Sequence, residues 1–316
     1  MGGRDVYVGV DVSKERLDVA LRPSGEFFSE ANDERAVPRL VKRLQPLDCA
    51  RVVVEATGGY ETVVVAALWA AGVPVVVVNP RWTRAYAKSI GWLAKTDRID
   101  ARLLALYAER AELKPQELPD QATRELRELC ARRADLQEMI DAERNRLEHA
   151  SAAVRREITS HIDYLRKRLK RIDRDIDGAV RSSALWRHQN ELLDSVPGVG
   201  PVLRSSMLAW LPELGKLNRV EIAKLVGVAP LNADSGTIRG QRHIAGGRAP
   251  LRKVLFMSTM GAMLHNPHLR AYYDRLRASG KQHKVALVAT MRKLLLILNA
   301  IIKTDTPWSE SCLENA

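Results

Sequence analysis

The sequence predicts an α/β N-terminal domain over residues 1–113, a helical coiled-coil region over 114–188 and a mostly α C-terminal domain over 189–316. Three features predict it. Unbroken valine runs alternate with helix-period segments in the first hundred residues. Apolar residues then recur three and four apart from Leu126 to Ala179. A Val-Pro-Gly-Val-Gly-Pro turn at 196–201 joins two helical stretches near the start of the last region.

Residues 5–12, DVYVGVDV, alternate and are rich in valine, which predicts a strand. A turn at Ser13–Glu15 leads to a second strand over Leu17–Leu21, and residues 24–29 close a meander. Val37, Leu40, Val41 and Leu44 have helical spacing. Arg51–Ala56 and Val73–Val78 are buried-type strands flanking a helix over Glu61–Ala71. Such continuous runs belong to a sheet covered on both faces. Lys95-Thr96-Asp97 opens the next helix, with Thr96 as N-cap and Ile99, Leu103 and Leu106 as its apolar stripe. Lys114–Asp120, with Pro115 and Pro119, is expected to be a linker.

From residue 126 to 179 no proline or glycine intervenes before Gly178. The spacing fits one helix about 80 Å long at roughly 1.5 Å per residue. It fits equally a hairpin turning near Ser151–Arg156. Either form needs a partner helix, so a homo-oligomer, dimer or tetramer, is expected, with Ile162 and Leu169 in the seam. Beyond it, the turn at 196–201 resembles a helix-hairpin-helix turn, in which backbone N–H groups meet a DNA phosphate; Gly198 and Gly200 would lie against it. Leu231–Gly247 is a polar, glycine-bearing loop, followed by apolar helices over Leu251–Leu264 and Val285–Ile302.

Composition narrows the function classes. The 316 residues carry a net charge of +12, a surface that attracts polyanions, nucleic acid first among them. Three widely separated cysteines, with no CxxC, argue against a disulfide scaffold and a structural zinc site. No apolar run reaches the roughly 18 residues of a membrane span; the longest, Leu294–Ile302, is flanked by Lys293 and Lys303. No signal-peptide pattern opens the chain, so a cytoplasmic location, beside the nucleoid, is expected.

Four carboxylates carry the chemical expectation. Asp11 ends the first strand and Glu55 ends the strand begun at Arg51; if these strands are neighbours, both side chains leave one sheet edge. Asp97 and Asp100, three apart on a helix, share a face. Oxygen-only ligands select Mg²⁺ or Mn²⁺, and a pair of such ions can hold the attacking and leaving oxygens of a phosphodiester. Each acid also has a plainer explanation: a turn residue, a helix-dipole partner or a strand end meeting water. Asp18 competes with Asp11 but falls inside a strand pattern.

Longer motifs surround these acids: VGVDVSKERLDVAL (8–21), VVEATGGY (53–60), LAKTDRIDARLLA (93–105), LLDSVPGVGP (192–201), LVGVAPLNADSGTIRGQRHIAGGRAPLRKVL (225–255) and YYDRLRASGKQHKVALVATMRKLLLIL (272–298). In this order they resemble the DEDD-type insertion-sequence transposases of the one-ten family, also described as bridge-RNA-guided recombinases. The resemblance implies an RNase H-like, RuvC-like first domain whose four acids are Asp11, Glu55, Asp97 and Asp100. It implies a nucleophilic serine at Ser235 in a C-terminal transposase domain, and a site composed from two subunits. It implies a structured non-coding guide RNA that pairs with donor and target DNA. In some members glutamine precedes the serine, where this chain has Asp234.

A serine hydroxyl needs a base or a metal to become a nucleophile. Asp234 and His243 make no hydrolase arrangement around Ser235, and a metal held by another domain is the better activator. Arg239, Arg242 and Arg248 surround the serine and can grip phosphate, while Gly236, Gly240, Gly246 and Gly247 let backbone approach DNA. Two other readings use the same residues: a junction-resolving nuclease activating water, and a non-catalytic nucleic-acid-binding coiled-coil protein. An actin-like sugar kinase also begins with a strand ending in Asp, but no glycine-rich phosphate loop follows here.

Overall fold

The computed structural model describes residues 5–94, 96–113, 119–231, 234–235, 238–240 and 242–309, with backbone alone at 234–235 and 238–239. Contacts divide the chain into two compact units, Met1–Leu118 and Pro119–Ala316.

The first unit is a five-stranded mixed sheet. β1 (Val6–Val12), β2 (Arg16–Arg22) and β3 (Phe27–Ala31) form the antiparallel meander. After α1 (Val37–Leu44), β4 (Cys49–Glu55) returns parallel to β1 on its other side. α2 (Thr62–Ala70) then leads to β5 (Val75–Val78), parallel to β4. The order is β3-β2-β1-β4-β5. α3 (Pro80–Ser89) and α4 (Asp97–Arg110) complete the unit.

Side-chain parity along the strands decides what each face does. Val8, Val10, Val12, Leu17, Val19, Val52 and Val54 pack with Leu40 and Leu44 of α1 and Val64, Val65 and Leu68 of α2. The opposite face receives α4: Val53, Val76 and Val78 meet Leu104 and Ala108, and Ala20 meets Ala101 and Ala105. Gly9 is the seat of that helix. A Cβ there would lie 2.2 Å from the Ala105 nitrogen and 2.3 Å from the Ala101 oxygen, so only hydrogen fits. Arg51 of β4 donates to the carbonyls of Ala108 and Ala111 (2.9 and 2.6 Å), closing the C-terminal end of α4.

In the second unit α5 (Gln121–His149) and α6 (Ala152–Ser182) form a hairpin turning at Ala150 and Ser151. The seam predicted from the spacing is closed within the chain: Leu136 and Ile140 of α5 pack on Ile162 and Leu165 of α6, with Leu147, Ile158 and Leu169 beside them. The partner helix that Ile162 and Leu169 require is therefore α5. α7 (Ala184–Asp194), α8 (Pro201–Trp210), α9 (Arg219–Val226), α10 (Ala249–His265), α11 (Pro267–Ala278) and α12 (His283–Thr304) form the helical body. Its core runs from Leu126 and Val180 at the root of the hairpin to Leu294, Ile297 and Ile301. Length and apolarity would let α12 cross a membrane, unlike the expectation of no such segment. Its run extends further than Leu294–Ile302 because Val285, Ala286, Leu287 and Val288 precede it, and its buried residues fill this core.

Candidate active site

The same parity that seats α4 brings the acids to one place. Asp11 follows Gly9 on the α4 face of β1, and Glu55 follows Val53 on the α4 face of β4. The β1/β4 register pairs Val10 with Val54, so the two acids leave neighbouring strand ends. Thr96 caps α4 by accepting from the Ile99 N–H at 3.2 Å, and Asp97 and Asp100 occupy its first turn. Lys95 lies outside the described residues.

Electrostatics register this convergence. The Asp11 carboxyl is pushed up to about 6, first by burial and then by the negative charges of Asp100, Glu55, Asp97 and Asp18. Its neighbours are better compensated. Arg16 Nη2 meets Asp97 Oδ2 at 2.7 Å, and Arg84 Nη1 lies 3.8 Å from Asp100 Oδ1. The Thr83 hydroxyl donates to Glu55 Oε2 at 2.6 Å. With these partners in place, among the described residues no three His, Cys, Asp or Glu side chains stand close enough to hold one metal ion. By donor chemistry the set suits a hard divalent cation, since every member is a carboxylate.

Ser235 belongs to the second unit. Pro230–Leu231 (β6) pairs with His243–Ile244 (β9), and Asp234–Ser235 (β7) pairs with Ile238–Arg239 (β8). In the backbone register Ser235 is paired with Ile238. Gly236 and the side chains of Asp234, Ser235 and Arg239 lie outside the described residues. The root of the loop is pinned. Gly227, the left-handed C-cap of α9, packs against Gly247, where a Cβ would meet the Gly227 nitrogen at 2.3 Å. Arg252 Nη1 donates to the Gly246 carbonyl.

Two family models match this chain. One, described as Transposase, matches residues 8–150; the other, Transposase IS116/IS110/IS902 family, matches residues 190–274. The chain belongs to the IS110 family of transposases. A pilin gene-inverting protein of Moraxella bovis is 27% identical, over 96% of this chain and 98% of its own length. An uncharacterized protein of insertion element IS116 from Streptomyces clavuligerus is 26% identical over 94% of each. One of insertion element IS110 from Streptomyces coelicolor is 33% identical over 36% of this chain and 29% of its own. The four acids fall inside the first matched region and Ser235 inside the second.

The remaining predicted contact residues of this transposase divide. Gly200 is the exposed N-cap of α8, a free backbone edge of the kind a phosphate meets. Gly198 instead faces inward: at φ +81° a Cβ would stand 2.6 Å from the Ala262 Cα of α10, so packing demands the glycine. Arg242 is exposed. Arg248 is committed to the fold. It meets both oxygens of Glu213 at 2.5 and 2.6 Å and donates to the Trp210 carbonyl at 2.7 Å, leaving few donors for a ligand.

Four further polar residues surround the acids; sequence reasoning weighed Asp18 only as a competitor for Asp11 and gave Arg16, Thr83 and Arg84 no role. Asp18 sits opposite Asp11 in the β1/β2 register, 3% exposed, accepting from Ser29 and from Arg16 Nε. Arg16, Thr83 and Arg84 neighbour Asp97, Glu55 and Asp100 as described. A period-2 count from Asp11 across a tight turn would have put Asp18 beside Asp11 rather than in its place.

The raised Asp11 carboxyl predicts a pH signature. Between an unfolded value of 3.8 and a folded value of about 6 the native state binds more protons, so stability falls as pH rises through that window. The cost is fully present above it. In EDTA, Asp11→Asn is expected to melt at a higher temperature than the wild type at pH 7.5, with the gap closing toward pH 4. Calorimetry checks this; a lower melting temperature for the variant at pH 7.5 contradicts it.

Proposed function

We propose that this transposase cuts and exchanges DNA strands through Ser235, with Asp11, Glu55, Asp97 and Asp100 holding divalent cations, Mg²⁺ or Mn²⁺, and with a structured non-coding RNA selecting donor and target DNA. The supporting observation is the placement of the four carboxylates at the neighbouring ends of β1 and β4 and on the first turn of α4, where burial, and after it the charges of the other acids, raises Asp11 to about 6. The strand order β3-β2-β1-β4-β5, antiparallel on one side of β1 and parallel on the other, supports an RNase H-like, RuvC-like catalytic domain over 1–113. On this reading 114–188 is a helical arm and 189–316 the serine-bearing domain with its helix-hairpin-helix-like turn at Gly198 and Gly200. The pilin gene-inverting relatives, named for a DNA rearrangement, fit strand exchange.

In the reaction, the Ser235 oxygen bonds to phosphorus as a DNA ester oxygen leaves. The serine proton passes to a base or water, and the departing DNA oxygen takes up a proton. One phosphodiester replaces another, so the phosphoserine–DNA link keeps the bond energy needed for rejoining. Divalent cations would supply positive charge at the attacking and leaving oxygens. Ser235 and the acids can come from different copies in a homo-oligomer. Arg239 and Arg242 would meet the phosphate backbone.

The test incubates the protein with donor and target DNA, Mg²⁺ and RNA transcribed from the flanking element. A DNA adduct at Ser235, found by mass spectrometry and lost in Ser235→Ala, is the expected result. Full cleavage by Ser235→Ala, with only acid substitutions inactive, would instead establish a water-activating nuclease.

A further inference from the structure

An open cleft of about 460 Å³ lies beside the acids within the first unit. One part of its lining is anionic, Glu55 and Asp100; the other is cationic, Arg81, Arg84 and Lys88 of α3. The three cations sit at i, i+3 and i+7, one stripe of the helix. Local sequence builds this. Asn79 caps α3 by accepting from the Arg81 N–H at 2.9 Å, and Pro80 starts the first turn. Thr83 and Ala87 turn inward, each 1% exposed, leaving Arg81 and Lys88 outside. Thr83 and Arg84 reach Glu55 and Asp100, which fixes the helix against the acids.

We propose that the Arg81–Arg84–Lys88 stripe is the track for the phosphate backbone of the DNA strand to be cut, laying that strand along the carboxylates. This rests on the four acids being the cleavage site. Anionic walls alone would repel a phosphodiester, and a cationic wall facing them restores attraction. Seven residues of helix at about 1.5 Å each span roughly 10 Å. DNA rises about 3.4 Å per phosphate along one strand, so the stripe matches about three phosphates. Trp82, 59% exposed on the same helix, offers a flat face to a neighbouring base. The contacts are to backbone, so the track carries no sequence preference, which is left to other parts of the machinery.

The test uses the full chain in EDTA, where binding is measured without cleavage. Arg81→Gln/Lys88→Gln spares Arg84, which contacts Asp100, and changes only exposed side chains. Fluorescence anisotropy follows a labelled DNA strand of mixed sequence, its duplex and the RNA of the same sequence at several salt concentrations. The expected result is DNA affinity weaker by roughly one to two orders of magnitude at 0.1 M salt, with the log–log salt slope smaller by about two for DNA. Arg81→Lys/Lys88→Arg should restore the slope. Unchanged DNA affinity and slope overturn the proposal, and so does a loss confined to RNA. Asp11→Asn separates the two readings. If it still cleaves while the glutamine pair loses DNA, the acid site falls and the stripe is left as a DNA-binding surface without a role in laying out the cut strand; if it is dead while the glutamine pair binds normally, the track falls alone.

Discussion

Glu55→Gln and Asp97→Asn are each expected to stop strand cleavage in Mg²⁺ while leaving RNA and DNA binding in place. Both replacements keep shape and remove one negative charge. In Glu55→Gln the amide oxygen can still accept from the Thr83 hydroxyl, and in Asp97→Asn it can still accept from Arg16, so the contacts at 2.6 and 2.7 Å need not be lost. Asp97 is 65% exposed, and its charge is not needed for packing. What disappears is a charged ligand for a hard cation. Removing one preorganised electrostatic group from an active site costs on the order of 10² to 10³ in rate, and a metal ligand belongs at or beyond the upper end. Gel assays of cleavage beside anisotropy of binding make the measurement. Full cleavage by either variant in Mg²⁺ would remove that acid from the site.

Gly9→Ala should be the most damaging substitution of a single methyl in the first unit. The new Cβ would collide with the backbone of Ala101 and Ala105 at 2.3 and 2.2 Å, and backbone of a packed helix cannot swing aside as a side-chain tip can. Overpacking of this kind costs about 1–3 kcal/mol, occasionally more. The functional cost is larger. α4 carries Asp97 and Asp100, and lifting it from β1 separates them from Asp11 and Glu55. A misplacement of about 1 Å can cost roughly 10²-fold in rate. The expected variant melts earlier and cleaves poorly even at temperatures where circular dichroism shows it folded. Wild-type stability and cleavage together would show that α4 is not seated by Gly9.

Much of this is legible in the chain alone. The valine runs mark the strands, Thr96 marks the start of α4, and the strand-end acids and the helical i, i+3 pair can be placed at the ends of β1 and β4 and in the first turn of α4. What stays hidden depends on register and packing. Asp18 looks like an interior strand residue because its role needs the Asp11 pairing. Gly9 looks like one glycine in a strand because nothing local announces a helix lying across it. Arg16 and Arg84 are surface arginines until the fold places Asp97 and Asp100 beside them. Arg248 groups with phosphate-gripping arginines by position alone, and Glu213, thirty-five residues away, claims it instead. The three-and-four spacing at 126–179 announces a seam, but spacing does not say which helix closes it.

That closure has a consequence for how copies of this chain meet. A strip of leucine and isoleucine already satisfied by its own neighbour, Leu136 and Ile140 against Ile162 and Leu165, has little grease to offer another molecule. The outward side of α6 bears Arg166, Lys167, Arg168, Lys170 and Arg171, all exposed. An assembly built through this basic side of the arm would be ionic in character, and would loosen as added salt shortens the reach of those charges.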